Sequence, residues 1–170
     1  MRKPRVPERL RWAVELLALS PDDQVLEIGC GPGVAMALVC ERLVGGRITA
    51  IDRSATAVRR AAQRNAEHVA SGRAVLLHTD LAGAELGGRH VDKAFAVNVN
   101  LFWVRPADAE LALLKGLLHP AGVLHLIYDA PGEEPARRTA TTVTAALERH
   151  GFSTSVSTGT SAGLLAITAR

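Results

Sequence analysis

Residues Val25–Val34 read VLEIGCGPGV. Val25, Leu26 and Ile28 favour an extended strand. Directly behind them Gly29, Gly31 and Gly33 fall at every second position, and Glu27 is the lone acid of the stretch. Glycine adopts positive φ readily, and it lets a ligand approach the backbone with no Cβ in the way. Three glycines within five residues exceed what a plain strand-to-helix turn requires. The loop is therefore expected to cradle a ligand at the carboxyl end of a strand, where open parallel sheets bind their ligands.

Working outward, strand and helix signals alternate. Leu10, Ala13, Val14 and Leu17 share one helical stripe between Pro7 and Leu19, and Ser20–Asp23 ends that helix in a turn. Gln24–Ile28 is the first strand. A helix is expected from Gly33 to Leu43, stopped by Gly45-Gly46, then a strand over Arg47–Asp52 (RITAID). Ser54 can cap a long helix reaching Ala70. Further strands are expected at Arg73–Thr79, Val91–Val99 and Gly122–Asp129, with helices at Pro106–Leu118 and Pro135–His150. Asp80–His90 carries three glycines and little periodicity. Phe152–Thr158 and Leu164–Ala169, joined by a Gly159–Gly163 turn, close the chain as an antiparallel pair. Alternating strands and helices imply parallel βαβ units, hence an α/β fold with a doubly wound, mostly parallel sheet of seven strands. A helical cap at 1–21 and a single core at 22–170 describe the organisation.

Bulk properties narrow the function classes. The 170 residues make about one domain. Aromatics are 4%, so the core must be aliphatic. The net charge of +3 is spread thinly, over Arg2, Lys3 and Arg5, Arg59 and Arg60, and Arg137 and Arg138. That pattern lacks the dense cationic stripe of a nucleic-acid binder. Cys30 and Cys40 are too few for a disulfide framework, and they lack metal-ligand spacing, so no metal is expected. No apolar run approaches the length of a membrane span, and no signal peptide is recognisable. A cytoplasmic protein is expected.

The run E-x-G-x-G-x-G resembles motif I of the class I S-adenosylmethionine-dependent methyltransferases. Later features resemble that family in order: Asp52 at the end of the second strand, Asp80 after the third in HTDLA, VDKAFAVN in the fourth, and LLHPAGVLHLI leading into the fifth, with Ala121 in place of a glycine. The likeness covers nearly all of the chain from Asp22 onward. It implies a Rossmann-like methyltransferase fold of seven strands, the last one antiparallel, with S-adenosylmethionine as cofactor. It also implies a cofactor site at Glu27, Gly29, Cys30, Gly31, Gly33, Asp52, Arg53, Asp80, Leu81 and Asn98. In it Glu27 would face the methionine end, Asp52 the ribose hydroxyls, and Asp80 the adenine amino group. A carboxylate suits the ribose because it accepts two O–H donors at once.

The acceptor is expected over the ends of strands one, four and five, with Asn100, Trp103 and Tyr128 as candidate substrate contacts. NVNLFW lacks the prolines of the N-P-P-Y type motif, which argues against amide- and nucleic-acid-methylating relatives. No catalytic base is identifiable. His78, His119 and His125 read as structural, and His125, alternating with Leu124 and Leu126, points to the other face. The expected function is methyl transfer to a small-molecule acceptor, by a protein that could form a homodimer. Two rivals are an NAD(P)-binding oxidoreductase and a non-catalytic S-adenosylmethionine-binding protein. Against the first, a G-x-G-x-x-G fingerprint would need glycine at Val34.

Overall fold

The structure is a computed structural model and describes residues 6–88 and 90–170. The basic residues Arg2, Lys3 and Arg5, and the start of the expected 1–21 cap, lie outside the described residues. Among the described residues fourteen elements follow one another: α1 (Glu8–Leu16), β1 (Gln24–Ile28), α2 (Val34–Cys40), β2 (Arg47–Asp52), α3 (Ala55–Arg64), α4 (Ala66–Ala70), β3 (Ala74–His78), β4 (Val91–Val97), α5 (Leu101–Val104), α6 (Asp108–Leu117), β5 (Leu118–Asp129), α7 (Glu133–Arg149), β6 (Thr154–Thr158) and β7 (Leu164–Ala169).

The seven strands form one sheet in the order β3-β2-β1-β4-β5-β7-β6. The pairs β1–β2, β1–β4, β2–β3 and β4–β5 are parallel, whereas β7 runs antiparallel to both β5 and β6. The winding reverses between β1 and β4, so a crevice opens there beyond the strand ends.

Aliphatic strands let both faces of the sheet be covered. On one face Ala13, Val14 and Leu17 of the α1 segment pack with Met36 and Val39 of α2, Ala61 of α3, and Phe95. On the other, Leu26, Ile51, Leu124 and Leu126 meet Phe102, Leu111 and Leu114 of the α5–α6 segment and Val143 and Leu147 of α7. The α1 helix is thus built into the core, against α2, β4 and β5.

Three departures from the expected elements have local causes. The helix capped by Ser54, whose side chain accepts Ala57 N–H at 3.2 Å, breaks at Asn65. Asn65 bonds the backbone instead of continuing the helix cleanly. The β5 strand starts at Leu118, four residues before the expected Gly122, because it continues through a register irregularity opposite Val91/Lys93. A Cβ at Gly122 would lie 2.8 Å from His119 O and 2.9 Å from Val91 O, so only glycine fits this crossing. Finally, the single-turn α5 fills the stretch after β4, where no helix is expected from periodicity.

Candidate active site at the β1–β4 crevice

The loop after β1 is built from three left-handed glycines, Gly29 (φ 73°), Gly31 (φ 52°) and Gly33 (φ 75°). The surroundings of the three differ. A Cβ at Gly29 would lie 2.6 Å from Val99 Cγ2, and one at Gly33 would strike Asn65 Nδ2 at 2.6 Å and Ala61 Cβ at 2.8 Å. Only at Gly31 would a Cβ enter open space. Gly29 and Gly33 are therefore held by close packing within the protein, and Gly31 alone of the three has open space where a Cβ would stand.

The loop is clamped from outside. Gly29 N–H and Cys30 N–H both donate to Ile51 O, at 2.9 and 3.0 Å. Asn65, 1% exposed, donates through Nδ2 to Gly33 O at 3.0 Å and to Ala61 O at 2.9 Å. Arg64 Nε donates to Pro32 O at 3.0 Å. Sequence reasoning missed this clamp. Its one signal was an asparagine inside an otherwise helical run.

Asp52, at the end of β2, accepts Gly31 N–H on Oδ2 at 2.9 Å and Ser54 N–H on Oδ1 at 2.8 Å. Each carboxylate oxygen keeps a further lone pair for an outside donor. Asp80 accepts Gly83 N–H at 2.8 Å, which shapes the turn after β3. Glu27 is 4% exposed, and its Oε2 has no hydrogen-bond partner. Burial, reinforced by the nearby charge of Asp52, lifts its carboxyl from 4.5 to about 8. Burial pushes the Cys30 thiol up to about 12, which removes it as a nucleophile near neutral pH.

A cavity of about 400 Å3 opens at the crevice, a volume within the range of small-molecule sites. Of the residues expected there, Gly29, Asp52, Arg53, Asp80, Leu81, Asn98 and Asn100 line it. Thr79, Val99, Leu101, Val104, Arg105 and Glu110 join them and were not foreseen. Glu27, Cys30, Gly31 and Gly33 form the strand end and loop beside it. Trp103 and Tyr128, expected as substrate contacts, do not line it. Trp103 stands 43% exposed on α5, whereas Tyr128 is buried in the core with its hydroxyl unpartnered. Burial also takes His125 out of acid–base use: it lowers the imidazole to about 4, and Nδ1 pairs with Thr168 Oγ1 at 3.1 Å.

Glu110, 7% exposed at its side chain, is neutralised by Arg105, whose Nη2 lies 2.5 Å from Oε1. Arg105 Nη1 also donates to Pro106 O at 2.9 Å. A larger hollow of about 560 Å3 between α7 and the β6–β7 turn shares no residue with the crevice. No group of three or more metal-binding side chains occurs among the described residues.

These residues fit S-adenosylmethionine. The unpartnered Glu27 Oε2 can take an ammonium, the space at Gly31 can take the body of a ligand, and Asp52 can accept hydroxyl donors. Sheet order, glycine loop and strand-end carboxylate together define a Rossmann-like core of the class I S-adenosylmethionine-dependent methyltransferases.

Comparison with known proteins agrees. The family model described as "Methyltransferase domain" matches residues 25–122, and the chain belongs to that family. It is 35% identical to the trans-aconitate 2-methyltransferase of Paracidovorax citrulli (strain AAC00-1) over 136 residues, which are 78% of this chain and 50% of that protein. It is 33% identical to the enzyme of that name from Delftia acidovorans (strain DSM 14801 / SPH-1) over 135 residues, 77% of this chain and 48% of that protein. The chain thus spans about half the length of the curated relatives it matches. Among solved structures, a SAM-dependent methyltransferase from Aquifex aeolicus superposes with a TM-score of 0.76 at 18% identity, covering 94% of this chain and 88% of that one. S-adenosylmethionine is the cofactor of this class.

Proposed function

We propose that this protein transfers the methyl group of S-adenosylmethionine to a carboxylate oxygen of a small organic acid. The carrying observation is the inventory of the cavity. Among the described residues its lining holds no His, Cys, Lys or Tyr. Asp52 and Asp80 hold backbone N–H groups and are taken up by the cofactor in this reading, and Glu110 is paired with Arg105. With no unengaged base, the site suits an acceptor that needs no deprotonation, and a carboxylate at neutral pH is such an acceptor. The relatives' name, trans-aconitate 2-methyltransferase, supports an acid of this kind.

Bound S-adenosylmethionine supplies an activated methyl group, so the protein's task is holding and orienting. In this reading Glu27 takes the ammonium, Gly31 leaves room for the chain of the cofactor, and Asp52 takes the ribose hydroxyls. Asp80 and Leu81 wall the adenine, with Arg53 at its edge. Cys30 and Gly33 shape the loop, Asn98 faces the methyl side, and Asn100 and Trp103 flank the entry. Tyr128 contributes packing beneath it.

The test has two stages. Calorimetry with S-adenosylhomocysteine and with NAD separates this reading from an oxidoreductase. Turnover with labelled S-adenosylmethionine and a panel of di- and tricarboxylates, trans-aconitate included, separates it from a non-catalytic binder. Base-stable amines as the sole methylated products would overturn it, because carboxylate methylation gives base-labile esters.

Two finer expectations are carried on their own observations. Among the described residues no helix is long and apolar enough to cross a membrane, and both cysteines are free, which supports a reducing, cytoplasmic setting. The edge strand β6 carries no charge, and Val156 on it is 50% exposed, which supports pairing with a second copy. Sedimentation of the protein with and without Val156→Lys tests that dimer.

A further inference from the structure

We infer that Asn98 is the donor that holds the acceptor's oxygen, and that its amide is set for this by Asp129. The inference rests on the reading above and deepens it by naming the acceptor-positioning residue.

Asn98 follows β4 at the cavity and holds φ of 54°, one of two positive values among the described non-glycine residues. Such backbone strain tends to persist where the surroundings impose it, often at sites of function. Here the constraint is visible. Asn98 N–H donates to Ile127 O at 2.8 Å, and Asn98 Oδ1 accepts Asp129 N–H at 2.7 Å. A backbone N–H can only donate, so the side-chain atom facing Asp129 must be the oxygen. The Nδ2 hydrogens then point elsewhere, and Nδ2 has no protein partner among the described residues. Asp129 is itself tied to α1 by Arg9, with Nη1 3.6 Å from Oδ2.

The consequence is chemical selectivity. The cavity is offered an oriented pair of N–H donors, while the amide oxygen is engaged. An attacking amine uses its only lone pair on the methyl carbon and brings N–H groups that need acceptors. A carboxylate attacks with one oxygen and keeps lone pairs for Nδ2–H. Asn98 therefore favours oxygen acceptors over amines.

Calorimetry with trans-aconitate and its neutral trimethyl ester, on protein saturated with S-adenosylhomocysteine, tests this. Asn98→Asp keeps an oxygen for Asp129 N–H and replaces the donors with negative charge. Asn98→Gly relieves the strained φ and removes the amide, so loss of binding in both variants cannot be ascribed to misfolding. The expected result is at least tenfold weaker trans-aconitate binding in both, a larger loss than any in S-adenosylhomocysteine affinity. Unchanged trans-aconitate affinity, or a loss of S-adenosylhomocysteine affinity instead, would overturn the assignment. So would wild-type loaded protein that binds the ester as well as the acid. If S-adenosylhomocysteine itself fails to bind wild type, the methyltransferase reading falls first, and the inference falls with it.

Discussion

Asp52 Oδ2 sits 2.9 Å from the amide nitrogen of Gly31, 21 residues earlier in the chain. One carboxylate thus fixes the middle glycine of the first loop and, through Ser54 N–H at 2.8 Å, the entry to α3. Asp52→Ala loses both bonds and, with them, the ribose contact proposed above. Charge-assisted hydrogen bonds contribute roughly 1.5–3 kcal/mol each, so S-adenosylhomocysteine affinity should fall at least tenfold. Asp52→Asn, which can accept but also presents an NH2 to a backbone N–H, should fall between. Calorimetry checks both, and unchanged affinity would remove the ribose assignment.

Glu27 predicts a pH dependence. Its folded carboxyl titrates at about 8 against an ordinary value of 4.5. Between those values the folded state retains a proton that the unfolded state has released. Stability of the cofactor-free protein therefore falls as pH rises through that window. Glu27→Gln removes this contribution and should be the more stable protein at pH 8, by on the order of 2–4 kcal/mol at about 1.4 kcal/mol per unit. It should bind S-adenosylhomocysteine more weakly, having no charge for the ammonium. Melting curves from pH 5 to 8 decide it, because parallel curves for the two proteins would mean that Glu27 is not held neutral.

The glycines separate folding from binding. Gly33→Ala drives a Cβ into Asn65 and Ala61 at positive φ, and unfolding in urea should show a loss of about 2–4 kcal/mol. Gly31→Ala meets open space and pays only the left-handed backbone cost of about 1–2 kcal/mol. It should remain folded yet bind cofactor poorly. Equal destabilisation by the two would contradict the packing described for Gly33.

Arg105 and Glu110 should behave as a coupled pair. Removing Arg105 alone leaves a buried carboxylate without its counter-charge. Arg105→Met should therefore destabilise the protein more than the double variant Arg105→Met, Glu110→Gln. Urea denaturation of the four proteins of the cycle measures the coupling, and strictly additive changes would show that the pair is not energetically linked.

Much of the fold was legible in the sequence because the relevant signals are local. Short apolar runs bounded by glycine and by turns marked β2 (Arg47–Asp52) and β7 (Leu164–Ala169) at their observed limits, and Ser54 marked its helix start. Local signals failed where a distant partner decided the matter. The Asn65 break depends on the Gly33 carbonyl, and the early start of β5 depends on the backbone of Val91 beside Gly122.

The candidate site divides the same way. Sequence by itself determined that β1 ends in a glycine loop beside an acid and that a carboxylate follows β2, because strand, turn and acid are written in consecutive residues. Only the tertiary structure decided which glycines are crowded, that Glu27 is buried without a partner, that Arg105 and Glu110 share the cavity, and that Tyr128 is core. Those properties depend on what stands opposite each side chain across the sheet, and crowding, desolvation and pairing between residues far apart in the chain are set by packing.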